Sequence, residues 1–178
     1  MTEKRIAQRY AKALFMIAQE GQTMDTMHND IIFIQDVLHV SNELSLLLKN
    51  PIINPSKKIR IIEEIFSKNV QDIVIKFLIF IIKKGRDNIL PNILTEFISM
   101  YNEANNLVEV EIISAHKLNE SAKEEIVNTI SKKINKSIIP EFKVNPKIIG
   151  GIQLKFEDYL FDASLKKQLE TLNNILSY

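Results

Sequence analysis

The segment Leu107-Val108-Glu109-Val110-Glu111-Ile112-Ile113 marks the point where the spacing of apolar residues in this chain changes. Its two valines and Ile112 alternate with two glutamates. Alternation with a period of two predicts a strand that buries one face and exposes the other. The apolar patterns before this segment step by three and four residues instead, so the chain divides here into a helical part and a part that contains a sheet.

Toward the N-terminus, apolar residues recur at helical spacing in six successive segments, which predicts six helices. Residues typical of helix starts and stops separate them, namely Gly21, Ser41, Asn50-Pro51, Asn54-Pro55 and Gly85. The fifth segment, Ile73 to Ile82, is apolar on both sides. Such a helix either lies at the centre of the bundle or contacts a partner, and the sequence leaves both interpretations open.

Toward the C-terminus, Ser121 followed by Glu124 is typical of a capping box that opens a helix. A second strand is predicted over Ile138 to Val144, where Pro140 requires an edge position or a bulge. The alternating run Ile152 to Phe156 predicts a third strand.

Glu157-Asp158 is predicted to turn this third strand into a hairpin partner over Tyr159 to Phe161. Asp162 or Ser164 can cap a final helix. The residues predicted to line its buried side are Leu165, Leu169, Leu172, Ile175 and Leu176.

These elements predict a mainly helical α+β protein with two domains. Residues 1–105 form a six-helix bundle, and residues 106–178 form a small α/β domain with a short sheet and two helices. With 178 residues, the chain is long enough for two small cores.

Composition excludes several functions. The 23 basic and 22 acidic residues give a net charge of +1, which predicts neither a nucleic-acid surface nor an anionic-membrane surface. Without cysteine the chain has no disulfide, thiolate nucleophile or Cys-ligated metal site. It shows neither a signal peptide nor an apolar run long enough to span a bilayer, so we expect a soluble protein without membrane insertion.

The sequence predicts no catalytic, metal or cofactor site. His28, His39 and His116 lack metal-ligand spacing and are expected to be solvated or capping residues. Gly150-Gly151 precedes a predicted strand and lacks the lysine of a phosphate-binding loop. It therefore indicates a positive backbone angle or close packing at a strand entry, and no small-molecule substrate is expected.

Two basic clusters, Lys57-Lys58-Arg60 and Lys83-Lys84-Arg86, are the densest in the chain. They lack interleaved aromatic residues and have acidic residues nearby, so nucleic-acid binding is not favoured. The surplus of apolar surface on the first and fifth predicted helices instead indicates a groove for an amphipathic partner helix.

Taken in order, these patterns resemble the delta subunits of F-type ATP synthases, relatives of the mitochondrial oligomycin-sensitivity-conferring protein. The resemblance runs nearly end to end. The matching segments are Arg9 to Phe15, Asn50-Pro51 followed by Lys57 or Lys58, Gly85-Arg86 with Leu90-Pro91, Val108 to Val110 with Ser114-Ala115, Ile149 to Ile152, and Asp162 to Leu165 leading into Leu169 and Leu172. One departure is Glu157, because the family commonly has glycine in that hairpin turn.

The resemblance implies a non-catalytic stator on the peripheral stalk that links the catalytic head to the membrane sector, so that rotation is coupled to ATP synthesis. The first domain would bind the N-terminal helices of the alpha subunits, and the second would bind the b subunits. The residues it assigns to the alpha-subunit site are Tyr10, Ala13, Ile17, Phe77 and Phe80. It also implies a peripheral location on the cytoplasmic face of a bacterial cell membrane.

Two other classes of protein remain as alternatives. One is an unrelated helical adaptor, for example an RNA-binding one, which would show a basic face. The other is an enzyme of unrecognised type, with a polar pocket built from residues such as His116, Asp158 and Asp162. Loop and capping roles explain those three residues more simply.

Overall fold

The computed structural model describes residues 3–156, 159–165, 167 and 169. Its contacts divide the chain into two compact units, Met1–Asn102 and Glu103–Tyr178, called here the helical unit and the α/β unit. The predicted functional domains 1–105 and 106–178 remain a prediction. The helices of the first part are α1 Glu3–Glu20, α2 Met24–Val40, α3 Asn42–Lys49, α4 Pro55–Phe66, α5 Asp72–Lys83 and α6 Leu90–Ala104.

Among its described residues, the α/β unit contains the α-helix α7 Glu120–Ile134, a short 3-10 helix over Pro146–Ile148 and four strands, and Leu165, Lys167 and Leu169 are helical. The strands are β1 Leu107–Ser114, β2 Ser137–Val144, β3 Gly151–Phe156 and β4 Tyr159–Ser164. They form one sheet in the order β2-β1-β3-β4. β1 is parallel to β2, whereas β3 is antiparallel to both β1 and β4.

Each unit has its own apolar core. In the helical unit, Leu14, Phe66 and Phe97 are among the fully buried side chains. In the α/β unit, the alternating residues Val110 and Ile112 of β1 are fully buried, with α7 packed against the same cluster. The prediction of a mainly helical α+β protein with a small sheet is therefore confirmed.

Most predicted helix signals act as expected. Ser41 Oγ accepts from the backbone N–H of Leu44, and Asn54 Oδ1 accepts from that of Ser56, with Pro55 opening α4. Gly85 has a φ of +63°, and the N–H groups of Gly85 and Arg86 bond to carbonyls of the last turn of α5. Pro140 lies on edge strand β2, as predicted.

Some helix ends differ from the prediction. The end of α1 directly before Gly21 agrees with the prediction, although the residue with positive φ is Gln22, at 52°. Asn119, not Ser121, caps α7, because its Oδ1 accepts from the N–H of Ala122 at 2.9 Å. An asparagine at Ncap performs this task as well as a serine, so spacing alone did not choose between them.

The C-terminal hairpin strand is longer than predicted, because β4 continues past Phe161 to Ser164. Asp162 is therefore a strand residue, whereas Ser164 Oγ accepts from the N–H of Lys167, as a cap does. Leu165 and Leu169 are 46% and 56% exposed, so the prediction that they line a buried side was wrong for these two. Helical spacing shows which residues share a side, but not whether that side is covered.

The predicted turn Glu157-Asp158 lies outside the described residues, and so do Leu172, Ile175 and Leu176 of the predicted last helix. Within the described part of the chain, no single helix is long and apolar enough to cross a bilayer. One pair of helices among the described residues, Met24–Val40 with Asn42–Lys49, reaches the required length and composition when taken together, and this pair is bent by 97°.

Lys58 is buried, although the sequence places it in a basic cluster with Lys57 and Arg60. Its side chain is 4% exposed and forms an ion pair with Asp87 in the turn between α5 and α6. Lys58 Nζ also donates to the carbonyl of Leu48 at the end of α3, at 2.8 Å. A buried cation requires such partners, so this lysine connects three segments of the helical unit.

His28 is also not simply solvated, because its ring stacks on Tyr101 with centroids 3.7 Å apart. Tyr101 Oη donates to Asp25 Oδ1 at 2.8 Å, and this hydrogen bond raises the pKa of Tyr101. Burial lowers the pKa of His28 from its ordinary value of 6.5, while the nearby Asp25 opposes the shift. The folded protein therefore binds a proton on His28 less readily than the unfolded chain does.

This difference predicts a loss of stability in acid. As the pH falls below about 6.5, the unfolded state binds more protons at His28, and the free energy of unfolding decreases until the pH passes the folded-state pKa. Melting temperatures at pH 7.5 and 5.5 test this. The decrease should be smaller in His28→Gln and unchanged in His39→Gln, which alters an exposed histidine of the same helix. Equal decreases in both variants would contradict the prediction.

Candidate functional site

The predicted partner site lies where α1 meets α5. Tyr10 and Phe80 pack edge to face, with ring centroids 6.2 Å apart and ring planes at 68°. Tyr10 is half-buried, whereas Phe80 is 44% exposed. The two helices thus present aromatic rings to solvent side by side, and aromatic rings in this position provide apolar contact area for a partner.

The other predicted residues divide between surface and core. Ala13 is exposed and Ile17 is 40% exposed, and with Tyr10 they follow helical spacing along one side of α1. Phe77 is only 9% exposed, so it belongs to the core beneath the rings. The α1/α5 groove is defined here by Tyr10, Ala13 and Ile17 of α1 and by Phe77 and Phe80 of α5.

Sequence reasoning missed two apolar neighbours in this region. Ile73 is 40% exposed and precedes Phe77 and Phe80 at steps of four and three residues on α5. Met16 of α1 is 51% exposed. The sequence singled out the stretch Ile73 to Ile82 as apolar all round, but only the packing shows which of its residues stay uncovered.

One end of the groove opens into a cleft of about 420 Å³ lined by Ile6, Arg9, Tyr10 and Arg86. Lys84 Nζ lies 5.5 Å from the ring centroid of Phe80, so a third cation is next to the aromatic pair. Ile6, Arg9, Lys84 and Arg86 are called here the cationic end of the groove. The site therefore combines an apolar stripe with positive charge at one end.

The α/β unit has a second uncovered apolar surface on edge strand β4. Tyr159, Leu160 and Phe161 are 65%, 63% and 60% exposed. The opposite edge strand, β2, carries Pro140 and Lys143. Lys143 Nζ forms ion pairs with Glu111 Oε1 and Glu141 Oε1, each at 3.1 Å. Charges and proline discourage pairing at a sheet edge, so the two edges of this sheet differ in their capacity to hold a partner.

Gly150-Gly151 is a packing feature, as the sequence indicated. Gly151 begins β3 with a φ of +75°, and a Cβ there would lie 2.3 Å from the carbonyl oxygen of Ala163 in β4. A Cβ on Gly150 would lie 2.6 Å from Leu165 Cδ1. The pair lets β3 and the residues around the end of β4 approach closely.

Of the residues considered for catalysis, Asp162 has structural partners for its side chain. Asp162 accepts from Gln153 Nε2 and from the N–H of Ser164, both at 2.9 Å, and hydrogen bonding to Ser164 lowers its pKa. His116 is exposed, and its carbonyl accepts from Ser114 Oγ. Asp158 lies outside the described residues. Among the residues described, no three His, Asp or Glu side chains are grouped to hold a metal ion.

Comparison with known sequences gives an end-to-end match. Residues 6–176 match the family described as ATP synthase delta (OSCP) subunit. The chain is 38% identical over 176 residues to the ATP synthase subunit delta of Chlorobaculum parvum, covering 99% of this chain and 97% of that protein. It is 31% identical, with the same coverage, to the ATP synthase subunit delta of Desulforamulus reducens.

A solved structure has the same fold. A chain in the cryo-EM structure of the Toxoplasma gondii mitochondrial ATP synthase hexamer matches with a TM-score of 0.77. The match covers 100% of this chain and 99% of that chain, at 15% sequence identity. At that identity the likeness shows the fold alone.

Proposed function

This chain belongs to the ATP synthase delta (OSCP) subunit family and is a non-catalytic peripheral-stalk subunit of F-type ATP synthase, and from this premise we propose how it holds its neighbours. Helices α1 to α6 act as a six-helix bundle that binds the N-terminal helices of the alpha subunits. The α/β unit binds the b subunits. The chain thereby prevents the catalytic head from turning with the rotor.

The α1/α5 groove supports the first contact. An amphipathic helix binds through apolar residues at three- and four-residue spacing, and Tyr10, Ala13 and Ile17 offer a surface with the same spacing. The exposed ring of Phe80 extends this surface onto α5. A stator must not release its partner under torque, which calls for a free energy of binding of about 12 kcal/mol, or a nanomolar Kd.

The uncovered residues of β4 support the second contact. Tyr159 and Phe161 lie on one face of β4 and Leu160 lies on the other, and all three are exposed. Apolar residues that stay exposed in the separate chain are typical of a protein interface. The b subunits are the partners that we assign to it.

As a subunit of a membrane-bound complex, the chain is a peripheral component of that complex. We place it on the cytoplasmic face of a bacterial cell membrane, with its contacts made through protein alone. The comparisons give no support to an unrelated RNA-binding adaptor. Recovery of this chain with the other ATP synthase subunits after mild solubilisation of native membranes tests the assignment, and its absence from the purified complex would contradict it.

Ala13→Asp is expected to weaken binding of the alpha-subunit N-terminal peptide about tenfold, or by about 1.4 kcal/mol, because docking would remove a carboxylate from water. Ala13 is exposed, so the fold should be unaffected. Tyr10→Asp should weaken binding too, but it also removes the ring contact with Phe80. Isothermal titration calorimetry with the full chain measures both affinities.

Gln19→Asp is the matched control, since it places the same charge at an exposed position of α1 away from the groove stripe. The control should bind the peptide as the wild type does. Equal affinities for wild type, Ala13→Asp and Tyr10→Asp would exclude α1 from the site.

A further inference from the structure

Arg86 is an exposed cation, and the acidic residue next to it in sequence, Asp87, is already paired with another cation. The side chain of Asp87 pairs with buried Lys58, so it serves the interior of the helical unit. None of the ion pairs among the described residues includes Arg86. Arg86 nevertheless lines the cleft with Ile6 and Tyr10 at the end of the α1/α5 groove.

Other cations reinforce this end of the groove. Arg9 lines the same cleft, and Lys84 lies over Phe80. Along α1, the exposed residues Arg5, Arg9 and Lys12 follow one another at steps of four and three residues, so they share one side of the helix. The acidic residues of α1 stand only at its two ends, Glu3 and Glu20.

We propose that the cationic end of the groove binds a carboxylate of the docked partner helix, so that the partner is an acidic amphipathic helix with an Asp or Glu beside its last apolar anchor. This inference rests on the proposed function and specifies the chemistry of the partner. The apolar stripe alone would accept helices of any charge. The cations select among them and determine which end of the partner lies at Arg86.

The geometry of the cleft favours a carboxylate. A guanidinium group is a planar fork that donates two parallel hydrogen bonds to a carboxylate, and Arg86, which lines the cleft, carries such a group, while Arg9 in the same lining adds positive charge. Ile6 and Tyr10 supply apolar walls that exclude some water when a partner is bound. Positive charge on this face also accelerates association with an acidic partner and disfavours a basic one.

The test is a double-mutant cycle measured by calorimetry. The probes are a synthetic peptide of the alpha-subunit N-terminal segment from the same ATP synthase and a neutralised peptide in which each Asp and Glu is replaced by Asn and Gln. Arg86→Ala in the full chain should weaken binding of the first peptide about fivefold, as expected for a partly exposed ion pair. It should leave binding of the neutralised peptide unchanged.

Arg60→Ala is the control, since Arg60 is an exposed arginine of α4 outside the groove. It should bind the acidic peptide as the wild type does. Raising NaCl from about 0.05 to 0.5 M should weaken peptide binding more in the wild type than in Arg86→Ala. Salt screens the contact between Arg86 and the carboxylate of the peptide, and the variant lacks this contact. Circular dichroism confirms that each variant is folded.

The possible outcomes distinguish a failure of the carboxylate contact from a failure of the proposed alpha-subunit binding. If wild type and Arg86→Ala bind the acidic peptide equally, or wild type prefers the neutralised peptide, the carboxylate contact is overturned while the stator role stands. If wild type binds neither peptide, both the alpha-subunit assignment and this inference fail. Arg86-dependent binding to vesicles of about 30% phosphatidylglycerol, without a change in peptide affinity, would assign the cations to lipid and overturn the inference.

Discussion

Gly151→Ala is expected to destabilise the α/β unit by about 3 kcal/mol. At a φ of +75° any residue with a Cβ is strained, which costs about 1–2 kcal/mol. The added Cβ would also lie 2.3 Å from the carbonyl oxygen of Ala163. That oxygen belongs to the backbone of β4, so relieving the contact requires the two strands to move apart.

Gly85→Ala separates these two causes. Gly85 has a similar φ of +63°, but nothing lies within 4 Å of a Cβ placed there, so this variant should lose only about 1 kcal/mol. Guanidinium denaturation followed by circular dichroism gives the two free energies of unfolding. Hydrogen exchange in residues 107–114 and 151–156 locates the Gly151→Ala effect in the sheet. Equal losses in the two variants would show that the close approach of β3 and β4 is not rigid.

The glycine pair also shows what sequence can reveal about this fold. A glycine pair before an alternating apolar run already indicated a strand entry with a positive φ or close packing, because few other residues tolerate either. The strand of Leu107 to Ile113 was equally readable, since burial on one face imposes a period of two. Local chemistry expressed in neighbouring residues was therefore predictable.

Features that depend on distant residues were not predictable. Lys58 reads as one member of a surface cluster, and only the packing places it between Leu48 and Asp87, 10 and 29 residues away. His28 stacks on Tyr101 for the same kind of reason. The α1/α5 groove shows the same limit. The family resemblance selected its five residues, but it could not show that Phe77 is buried or that Ile73 is exposed, because both depend on the packing of neighbouring helices.

Lys58→Ala is expected to destabilise the helical unit by about 3–5 kcal/mol, the cost of breaking a buried ion pair by removing one partner. The variant leaves Asp87, whose side chain is 13% exposed, without its cation, and it deprives the carbonyl of Leu48 of a donor. Guanidinium denaturation of the full chain measures the loss. Lys57→Ala, which changes the exposed neighbouring lysine, should shift the free energy of unfolding by less than about 0.5 kcal/mol.

The double variant Lys58→Met with Asp87→Asn tests whether the loss in Lys58→Ala comes from the cavity and the unpaired Asp87 carboxylate that this variant leaves. It keeps similar volumes and leaves no unpaired charge, so it should recover most of the lost stability. If the double variant is as unstable as Lys58→Ala, the loss comes from the missing ion pair and from the missing donor to the carbonyl of Leu48, and not from packing or from an unpaired Asp87.

The same pair connects stability to partner binding. Once Lys58 is removed, Asp87 becomes a free anion next to Arg86 in sequence and competes with the partner's carboxylate for that guanidinium group. Lys58→Ala should therefore weaken binding of the acidic alpha-subunit peptide even under conditions where the variant remains folded, whereas Lys58→Met with Asp87→Asn should bind it as the wild type does. Equal peptide affinities in the single and double variants would show that Asp87 does not influence Arg86, and that the buried pair serves the fold alone.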